Sequence, residues 1–300
     1  MKQILIGGKV PAAQLAYGCM RLGKKDKKQA QNVVKTALSL GINFFDNADI
    51  YCSGVSEEYF GSAVSNSERD SIVVQTKCGI RPGFYDFSKE HIVKSAEQSL
   101  KRLNMDYLDI LCLHRPDTLF EGEEVSEAFY ELKSRSLVKN FGVSNFSPVQ
   151  IELLKKYVDE PILCNQLQLG IFHSGMIDSG ICANTLHECA SPKAGRALEY
   201  SRLNDITIQA WGPMRSKNSF FPCDDSLKSE NEALEKYAAK YGVSKEALSV
   251  AWIMRHPAKI QVLLGTTNEK RLKDYALADG ITLSREDWYG VYKETGHIIP

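Results

Sequence analysis

The feature that most constrains the fold is an alternation, repeated eight times, of a short apolar run with a longer amphipathic stretch. The run "SIVVQTK", for example, precedes "SKEHIVKSAEQSLKRLN", whose apolar residues recur at the helical period. The short runs are apolar on both faces, which is typical of parallel strands covered by helices. The pattern therefore predicts eight strand–helix units, with strand ends near Met20, Asp46, Lys77, His114, Asn145, Gln168, Gly212 and Thr266.

Repeated strand–helix units indicate an α/β protein. Because right-handed βαβ crossovers repeated eight times close most simply on themselves, we predict a (β/α)8 TIM barrel. A doubly wound open sheet is the alternative, but the pattern GxGxxG is absent after the first strand, where the chain reads "GCMRLG". The segment "QILIGGKVPAA" predicts a short N-terminal β-hairpin that turns at Gly7 and Gly8 and caps the bottom of the barrel. No low-complexity linker divides the chain, so we expect residues 1–300 to form a single domain.

Composition narrows the classes of partner. Lys and Arg total 37, as do Asp and Glu, and a formal net charge of zero favours neither nucleic acid nor an anionic membrane. The eight cysteines include no CxxC pair, so we predict no metal site, and free thiols at this frequency indicate a reducing, cytoplasmic location. The start "MKQILIGGKVPAA" lacks the apolar core of a signal peptide, and no window of 18 uncharged apolar residues predicts a membrane span.

Four chemically distinct side chains follow three consecutive predicted strands. The second strand ends in Asp46 with Tyr51 just beyond it, the third ends in Lys77, and the fourth ends in His114. Because the carboxyl ends of barrel strands meet at one mouth, we expect these groups to lie close together. Each residue alone has a structural interpretation, as a capping acid, a packed aromatic, a surface lysine or a core histidine. Their joint placement favours a functional site.

The four groups suggest a reaction. A free phenol has a pKa of about 10, and an adjacent ammonium lowers that pKa. We therefore expect Lys77 to lower the pKa of Tyr51, and Asp46 to neutralise and position Lys77. Tyr51 would then protonate a carbonyl oxygen as hydride reaches the carbon, while His114 donates a hydrogen bond to the same oxygen.

Three ordered motifs carry a resemblance to a known family. The segments "FFDNADIY", "MDYLDILCLHRPD" and "KNFGVSNFSPVQI" are similar to the signatures of the second, fourth and fifth strands of the aldo-keto reductases, which are NAD(P)H-dependent barrel enzymes. The resemblance runs from about Leu15 to Asp279. It implies hydride transfer from the nicotinamide C4 to a carbonyl carbon. It also implies that Tyr51 is the general acid–base and that Asp46, Lys77 and His114 complete a catalytic tetrad.

The resemblance also implies an extended dinucleotide across the barrel mouth. Ser144, Asn145 and Gln166 match the positions that bind the carboxamide, and amide side chains supply both the donors and the acceptors that this group needs. Trp211 matches the aromatic residue that stacks on the nicotinamide ring, although a core tryptophan is the alternative. The other implied contacts are Asp46, the first loop (Gly18, Cys19 and Met20) and the pyrophosphate loop (Gly212, Pro213 and Met214).

The segment "GTTNEKRLKD" matches the part of the family that holds the adenosine phosphate. Phosphate binding after the last strands and at a helix N-terminus is also typical of barrels. By resemblance, Thr266 and Arg271 hold the ribose 2′-phosphate, with the guanidinium supplying paired donors. Many family members carry a lysine just before this threonine, whereas this chain has Gly265, and Lys270 is the candidate to replace it. We predict NADPH as the cofactor, with NADH as the alternative.

Three functions compete at this stage. The first is a reductase of small-molecule aldehydes or ketones. The second is a nicotinamide-binding regulatory or sensor subunit with little turnover, since some relatives of this barrel serve as sensing partners of membrane channels. The third is a barrel hydrolase that uses Asp46 and His114 without a nicotinamide, which leaves Lys77, Trp211 and Arg271 without a role. The complete tetrad favours the reductase. We expect a monomer.

Overall fold

The computed structural model describes residues 1–191, 193–216 and 219–300, with the backbone alone for 193 and 194. The eight predicted strands form a closed barrel in which every strand is parallel to its neighbours, so the predicted (β/α)8 barrel is confirmed. Each strand ends within two residues of its predicted end. The barrel strands are β3 (Leu15–Gly18), β4 (Phe44–Asp46), β5 (Val73–Cys78), β8 (Ile110–Leu113), β9 (Phe141–Ser144), β10 (Ile162–Gln168), β11 (Thr207–Trp211) and β12 (Gln261–Leu264), and two short hairpins supply β1 (Gln3–Ile6), β2 (Val10–Ala13), β6 (Ile80–Arg81) and β7 (Phe84–Tyr85).

Helices cover the outside of the barrel because their apolar stripes pack on the outward faces of the strands. Polar caps fix several of their N-termini. The segment "SPVQIELLKKY" predicts a helix with Ser147 as its cap and Pro148 at its first position, and the structure confirms it, since Ser147 and Gln150 form a capping box. The helices are α1 (Lys27–Ser39), α2 (Val55–Gly61), α3 (Asn66–Arg69), α4 (Lys89–Leu103), α5 (Gly122–Ser134), α6 (Pro148–Lys155), α7 (Gly175–Ile181), α8 (Ala197–Leu203), α9 (Lys228–Tyr241), α10 (Lys245–Met254), α11 (Glu269–Ala276) and α12 (Arg285–Glu294).

The predicted N-terminal hairpin is present and closes the bottom of the barrel. Strands β1 and β2 pair antiparallel, and Gly7 and Gly8 both turn with positive φ. The hairpin residues Ile4 and Ile6 belong to the same buried cluster as Leu163, which lies inside the barrel wall. The amide of Gly7 also donates a hydrogen bond of 2.9 Å to the Thr207 hydroxyl. The mouth at the opposite end of the barrel therefore remains available for a site.

Two predictions about local structure are wrong. Cys182 and Cys189 form a disulfide in the segment after α7, so these two are not the free thiols that the sequence suggested; the chain folds back and brings their Cα atoms to 5.8 Å. The segment "SPKAGRALEYSRLN" predicts a helix that opens with Ser191 and Pro192, but the helix begins only at Ala197, because a 3-10 turn with a left-handed Arg196 precedes it. Pro192 lies outside the described residues.

The sequence indicates a longer connection than usual after Lys77, in "CGIRPGFYDF", and this segment contains the two-stranded hairpin of β6 and β7. Across the described residues, none of the helices is both long and apolar enough to cross a membrane.

The hairpin turn gives a matched pair of substitutions. Gly7 and Gly8 share a positive φ, but a Cβ on Gly7 would lie 2.7 Å from the Leu163 backbone, whereas nothing lies within 4 Å of one on Gly8. We expect Gly8→Ala to lower the free energy of unfolding by about 1 kcal/mol through backbone strain alone. We expect Gly7→Ala to cost about 1–3 kcal/mol more through overpacking. Urea denaturation of both variants measures the difference, and equal midpoints would show that the hairpin lifts from the barrel at no cost.

Candidate active site

The buried ammonium of Lys77 is the group around which the polar side chains at the barrel mouth are arranged. Its side chain is completely buried, and its Nζ lies 2.7 and 2.8 Å from the two carboxylate oxygens of Asp46. The same ammonium donates to the Asn47 carbonyl at 2.6 Å and to the Tyr51 hydroxyl at 3.0 Å. Asp46 and Lys77 face each other because β4 and β5 are adjacent parallel strands. Charge neutralisation and three kinds of oxygen partner together make burial of this ammonium tolerable.

The chain after β4 returns Tyr51 to this ammonium through a short series of backbone hydrogen bonds. The amide of Asn47 donates to the Gln75 carbonyl at 2.8 Å, and that of Asp49 donates to the Lys77 carbonyl at 3.1 Å. The Tyr51 amide then donates to the Ala48 carbonyl at 3.0 Å. The loop therefore continues to pair with β5 after the strand itself has ended. This pairing explains why the polar segment "DNADIY" directly follows the apolar residues of the strand.

His114 lies beside Tyr51 with the two rings edge to face, at 6.0 Å between centroids and an angle of 81°. Its Nδ1 is buried and has no hydrogen-bond partner among the described residues. Burial lowers the pKa of His114 to about 2, with Lys77 and Arg115 contributing in the same direction. The imidazole is therefore neutral at physiological pH, with one nitrogen that can donate a hydrogen bond to a bound molecule.

Lys77 lowers the pKa of Tyr51, as predicted, but its effect does not decide the direction of the net shift. Burial raises the pKa of Tyr51, and the Lys77 ammonium lowers it by less, so that the pKa lies above its ordinary value. For Lys77, burial lowers the pKa, but Asp46 and Tyr51 outweigh that effect and the pKa rises. The phenol is thus protonated and the amine charged near neutral pH. A desolvated phenol holds its proton more firmly than the sequence argument allowed.

A network of glutamines, missed by the sequence argument, supports Asp46 from below. Gln75 and Gln166 each donate to Asp46 Oδ1, at 2.7 and 2.9 Å. Gln209 exchanges hydrogen bonds with Gln75 and donates to Gln261 at 2.9 Å, and Gln261 reaches the Ala13 carbonyl at 2.8 Å. The signal was a glutamine at a buried position of an otherwise apolar strand, as in "VVQTK", "TIQAW" and "IQVLL".

The predicted carboxamide residues form a second, connected cluster. The indole of Trp211 donates to Asn145 Oδ1 at 3.2 Å, and the amide of Asn145 donates to the Ser144 hydroxyl at 2.9 Å and to the His114 carbonyl at 3.2 Å. Ser144 in turn donates to the Gln166 backbone carbonyl at 2.9 Å. The side-chain amide of Gln166 points to Asp46 rather than to Asn145. Trp211 is half-buried and lines the mouth, so it is not a core tryptophan.

The predicted phosphate-end residues lie across the mouth, around the end of β12. A Cβ on Gly18 would meet only the backbone of Leu264 and Gly265, at 3.8 Å, and Gly265 itself has open space beside it. Asn268 caps α11 by accepting from the amides of Lys270 and Arg271, and Thr266 accepts from the Asn268 amide. The backbone of Gly18 and Gly265, which carries no side chains, therefore lies next to the N-terminus of α11, a position that favours binding of an anion.

Two loops predicted to contact the cofactor have most of their side chains turned inward. Cys19 is completely buried in the barrel core, whereas Met20 next to it is 47% exposed. Gly212 adopts a positive φ and starts a turn in which the Arg215 amide donates to its carbonyl at 2.9 Å. Met214 is buried beneath that turn. Any contact from Cys19 or Met214 to a ligand would therefore come from the backbone.

Asp49, also missed from sequence, lies on the return loop beside a second buried acid. Its Oδ1 is buried without a partner among the described residues. Burial and the nearby Glu57 raise the pKa of Asp49 to about 7. Glu57 is itself completely buried but is paired with Arg102 at 2.6 Å and accepts from Thr76 at 2.6 Å. Asp49 forms no ion pair among the described residues and accepts a hydrogen bond from the Ile50 amide.

Comparisons with known proteins agree on one family. The family model described as "Aldo/keto reductase family" matches residues 14–291. The chain is 31% identical over 317 residues to the uncharacterized oxidoreductase YcsN of Bacillus subtilis, with all of both chains covered. It is 30% identical to a 6-dehydroglucose reductase of Agrobacterium fabrum, covering 97% of each. A probable voltage-gated potassium channel subunit beta of Oryza sativa is 29% identical, over 87% of this chain and 85% of the relative.

A solved structure supports the same architecture. The aldo/keto reductase of Klebsiella pneumoniae in complex with NADP and acetate superposes with a TM-score of 0.80 at 21% identity, covering 100% of this chain and 97% of that one.

The pH dependence of the free energy of unfolding should reveal the protonation of Asp49. The folded-state pKa of about 7 lies above the unfolded value of about 4, so the folded protein binds the extra proton between these values. Stability is therefore greatest at low pH with respect to this group and falls as the pH rises towards 7. We expect Asp49→Asn to remove this fall, so that between pH about 5 and about 8 wild type loses about 2 kcal/mol more than the variant.

Urea denaturation at both pH values measures the effect, and Asp205→Asn, at an exposed position, is the matched control. Parallel pH profiles for wild type and Asp49→Asn would mean that Asp49 stays ionised.

Proposed function

The chain belongs to the aldo/keto reductase family, and from that premise we propose that it reduces aldehydes or ketones to alcohols with NADPH, with Tyr51 as the general acid. The observation that carries the proposal is the hydrogen bond of 3.0 Å between the buried Lys77 ammonium and the Tyr51 hydroxyl. A surface tyrosine or a packing tyrosine has no need of a buried cation. A tyrosine that must become a phenolate during the reaction does.

Tyr51 starts in the correct protonation state for reduction. Its raised pKa keeps the proton on the phenol at neutral pH, ready for transfer to a carbonyl oxygen. As that proton leaves, negative charge develops on the phenol oxygen within 3.0 Å of the ammonium. Lys77 is already charged and held by Asp46, so it stabilises the phenolate without moving. The strength of this interaction increases as the charge develops, and for this reason it lowers the barrier.

We expect His114 to donate a hydrogen bond to the same substrate carbonyl oxygen from a second side. It is neutral, it stands edge-on to Tyr51, and its Nδ1 has no partner in the described part of the chain. A neutral imidazole can donate one hydrogen bond without competing for the proton of Tyr51. We infer that His114 orients the carbonyl so that its oxygen faces the phenol.

The mouth fits an extended nicotinamide dinucleotide. A reduced nicotinamide supplies the hydride when bound. Trp211 offers a half-buried indole whose ring is fixed by Asn145, and the amide and hydroxyl of Asn145 and Ser144 are suited to a carboxamide. The glycines at 18 and 265 leave bare backbone along the path to α11. There the exposed Arg271 makes no ion pair within the described ranges, so its guanidinium is free to bind the 2′-phosphate together with Thr266.

Two relatives bear on the choice of function. The 6-dehydroglucose reductase is named for the reduction of a carbonyl, which supports catalysis. The potassium channel subunit beta keeps open a role as a nicotinamide-binding sensor with little turnover. Catalytic turnover separates the two: tight NADPH binding with no reduction of any aldehyde or ketone would favour the sensor.

We expect Tyr51→Phe to lower kcat for aldehyde reduction by about 10²–10⁴-fold, the usual contribution of a general acid. Binding of NADPH should change by less than about threefold, because Lys77 keeps Asp46 and the Asn47 carbonyl as partners. Loss of NADPH absorbance measures turnover, and fluorescence titration measures binding. Tyr85→Phe, which alters an exposed phenol on β7, is the control. Near-normal turnover in Tyr51→Phe would refute the assignment.

The preference for NADPH over NADH is tested at Arg271, at the phosphate end of the barrel mouth. Arg271→Ala should weaken NADPH by about 10- to 100-fold, because a charge-assisted phosphate contact is lost, and NADH by less than about threefold. Lys270→Ala, measured beside it, shows whether that lysine takes over the role that Gly265 cannot fill. An equal loss for the two cofactors would exclude a 2′-phosphate role for Arg271.

A further inference from the structure

A cavity of about 490 Å³ opens beside the reaction centre, at the ends of β9, β10 and β11. Its lining includes Asn145 and Trp211, the two residues proposed above to hold the nicotinamide. Gln168 and Phe172 form another part of the wall, and His297 of the C-terminal tail closes one side. The cavity is large enough for a small organic substrate. A molecule in it would lie next to the nicotinamide ring.

One charged side chain in this cavity, that of Arg115, has no counter-ion among the described residues. Arg115 is the only arginine or lysine in the lining, and no described carboxylate lies within 4.0 Å of its guanidinium. The acid of the same lining, Asp178, is already engaged by Ser174 at 2.8 Å, Tyr292 at 2.9 Å and His297 at 3.6 Å. The other nearby acid, Asp117, accepts two backbone amides, those of Phe87 at 3.1 Å and Leu119 at 2.9 Å.

The position of Arg115 is fixed by its neighbours in sequence. It directly follows His114, and Pro116 follows it, which restricts its backbone to extended conformations. The guanidinium is close enough to His114 to help lower the pKa of that imidazole. A cation therefore stands beside the hydrogen-bond donor proposed to serve the carbonyl, and none of the described residues accepts a hydrogen bond from its side chain.

We propose that Arg115 binds an anionic group of the substrate, so that the preferred substrates are aldehydes or ketones that carry a carboxylate or a phosphate a few bonds from the carbonyl. This inference rests on the proposed reductase function and names its substrate class. A guanidinium presents paired N–H donors that match either oxyanion in a bidentate manner. In a partly desolvated cavity such a contact contributes more than at an open surface. The reacting end of the substrate would point to Tyr51 and the anionic end to Arg115.

The test compares substrates with and without an anionic group. para-Carboxybenzaldehyde is measured against para-formylbenzamide, and glyceraldehyde 3-phosphate against glyceraldehyde, which separates a carboxylate from a phosphate preference. We expect wild type to favour the anionic member of at least one pair by about 10- to 100-fold in kcat/KM. Arg115→Met should remove that preference while changing kcat/KM for the neutral member by less than about threefold. Arg115→Lys should restore part of it, because charge returns without the planar fork.

Controls separate this inference from the function on which it rests. Arg202→Met removes the same charge from an exposed site on α8 and should leave both rates unchanged. Calorimetric titration of the product alcohol para-(hydroxymethyl)benzoate into the protein saturated with NADP⁺ gives a binding readout, which should weaken in Arg115→Met by a similar factor. Absence of any anion preference in wild type, equal loss for both members of a pair, or weakened NADPH in Arg115→Met would overturn the inference. Reduction of neutral aldehydes would still support the reductase function. No reduction of any carbonyl compound would contradict both the reductase function and the role of Arg115.

Discussion

The buried ammonium of Lys77 is the constraint on which the rest of the mouth depends. A cation with no exposed surface costs several kcal/mol unless oxygens surround it. Asp46 supplies the neutralising charge, and the loop that follows supplies the Asn47 carbonyl and the Tyr51 hydroxyl. The charge therefore organises the loop, and in the proposed function it also stabilises the phenolate. Any rearrangement that removes Tyr51 from the site also removes one partner from a buried ion, so the phenol is held beside the ammonium.

The carboxylate that neutralises this ammonium creates a second requirement. An interior layer of aliphatic side chains cannot satisfy the remaining acceptor positions of Asp46, so amides occupy that layer instead. Gln75 and Gln166 donate to Asp46, and Gln209 and Gln261 continue the network across to the β2 end at Ala13. Every member has a partner, which is the condition under which a buried polar network adds order rather than instability. The mouth of the barrel is thus connected by hydrogen bonds to the hairpin beneath it.

The parts of this arrangement that could be predicted from sequence are those that follow from periodicity. Eight alternating units define a parallel barrel, and a barrel brings strand ends together, so the proximity of Asp46, Lys77 and His114 followed from topology alone. The sign of the Tyr51 pKa shift did not follow, because it depends on how far burial outweighs a neighbouring charge. The pairing of Cys182 with Cys189 depended on a local chain reversal for which the sequence has no periodic signal.

In the proposed function, proton transfer and substrate choice belong to different parts of the same strand–loop unit. His114 directly follows β8 and lies beside Tyr51, whereas Arg115, one residue later, lines the cavity. The strand end is fixed by its neighbours in the barrel, since the His114 amide pairs with the Cys78 carbonyl at 2.9 Å. The loop beyond it is free to vary without disturbing that pairing. An arginine there adds a cation to the cavity while the ammonium at Lys77 remains shielded by its own counter-ion. Under the proposed roles, a change of this one loop residue would alter the charge of the accepted substrate and leave the proton-transfer residues in place.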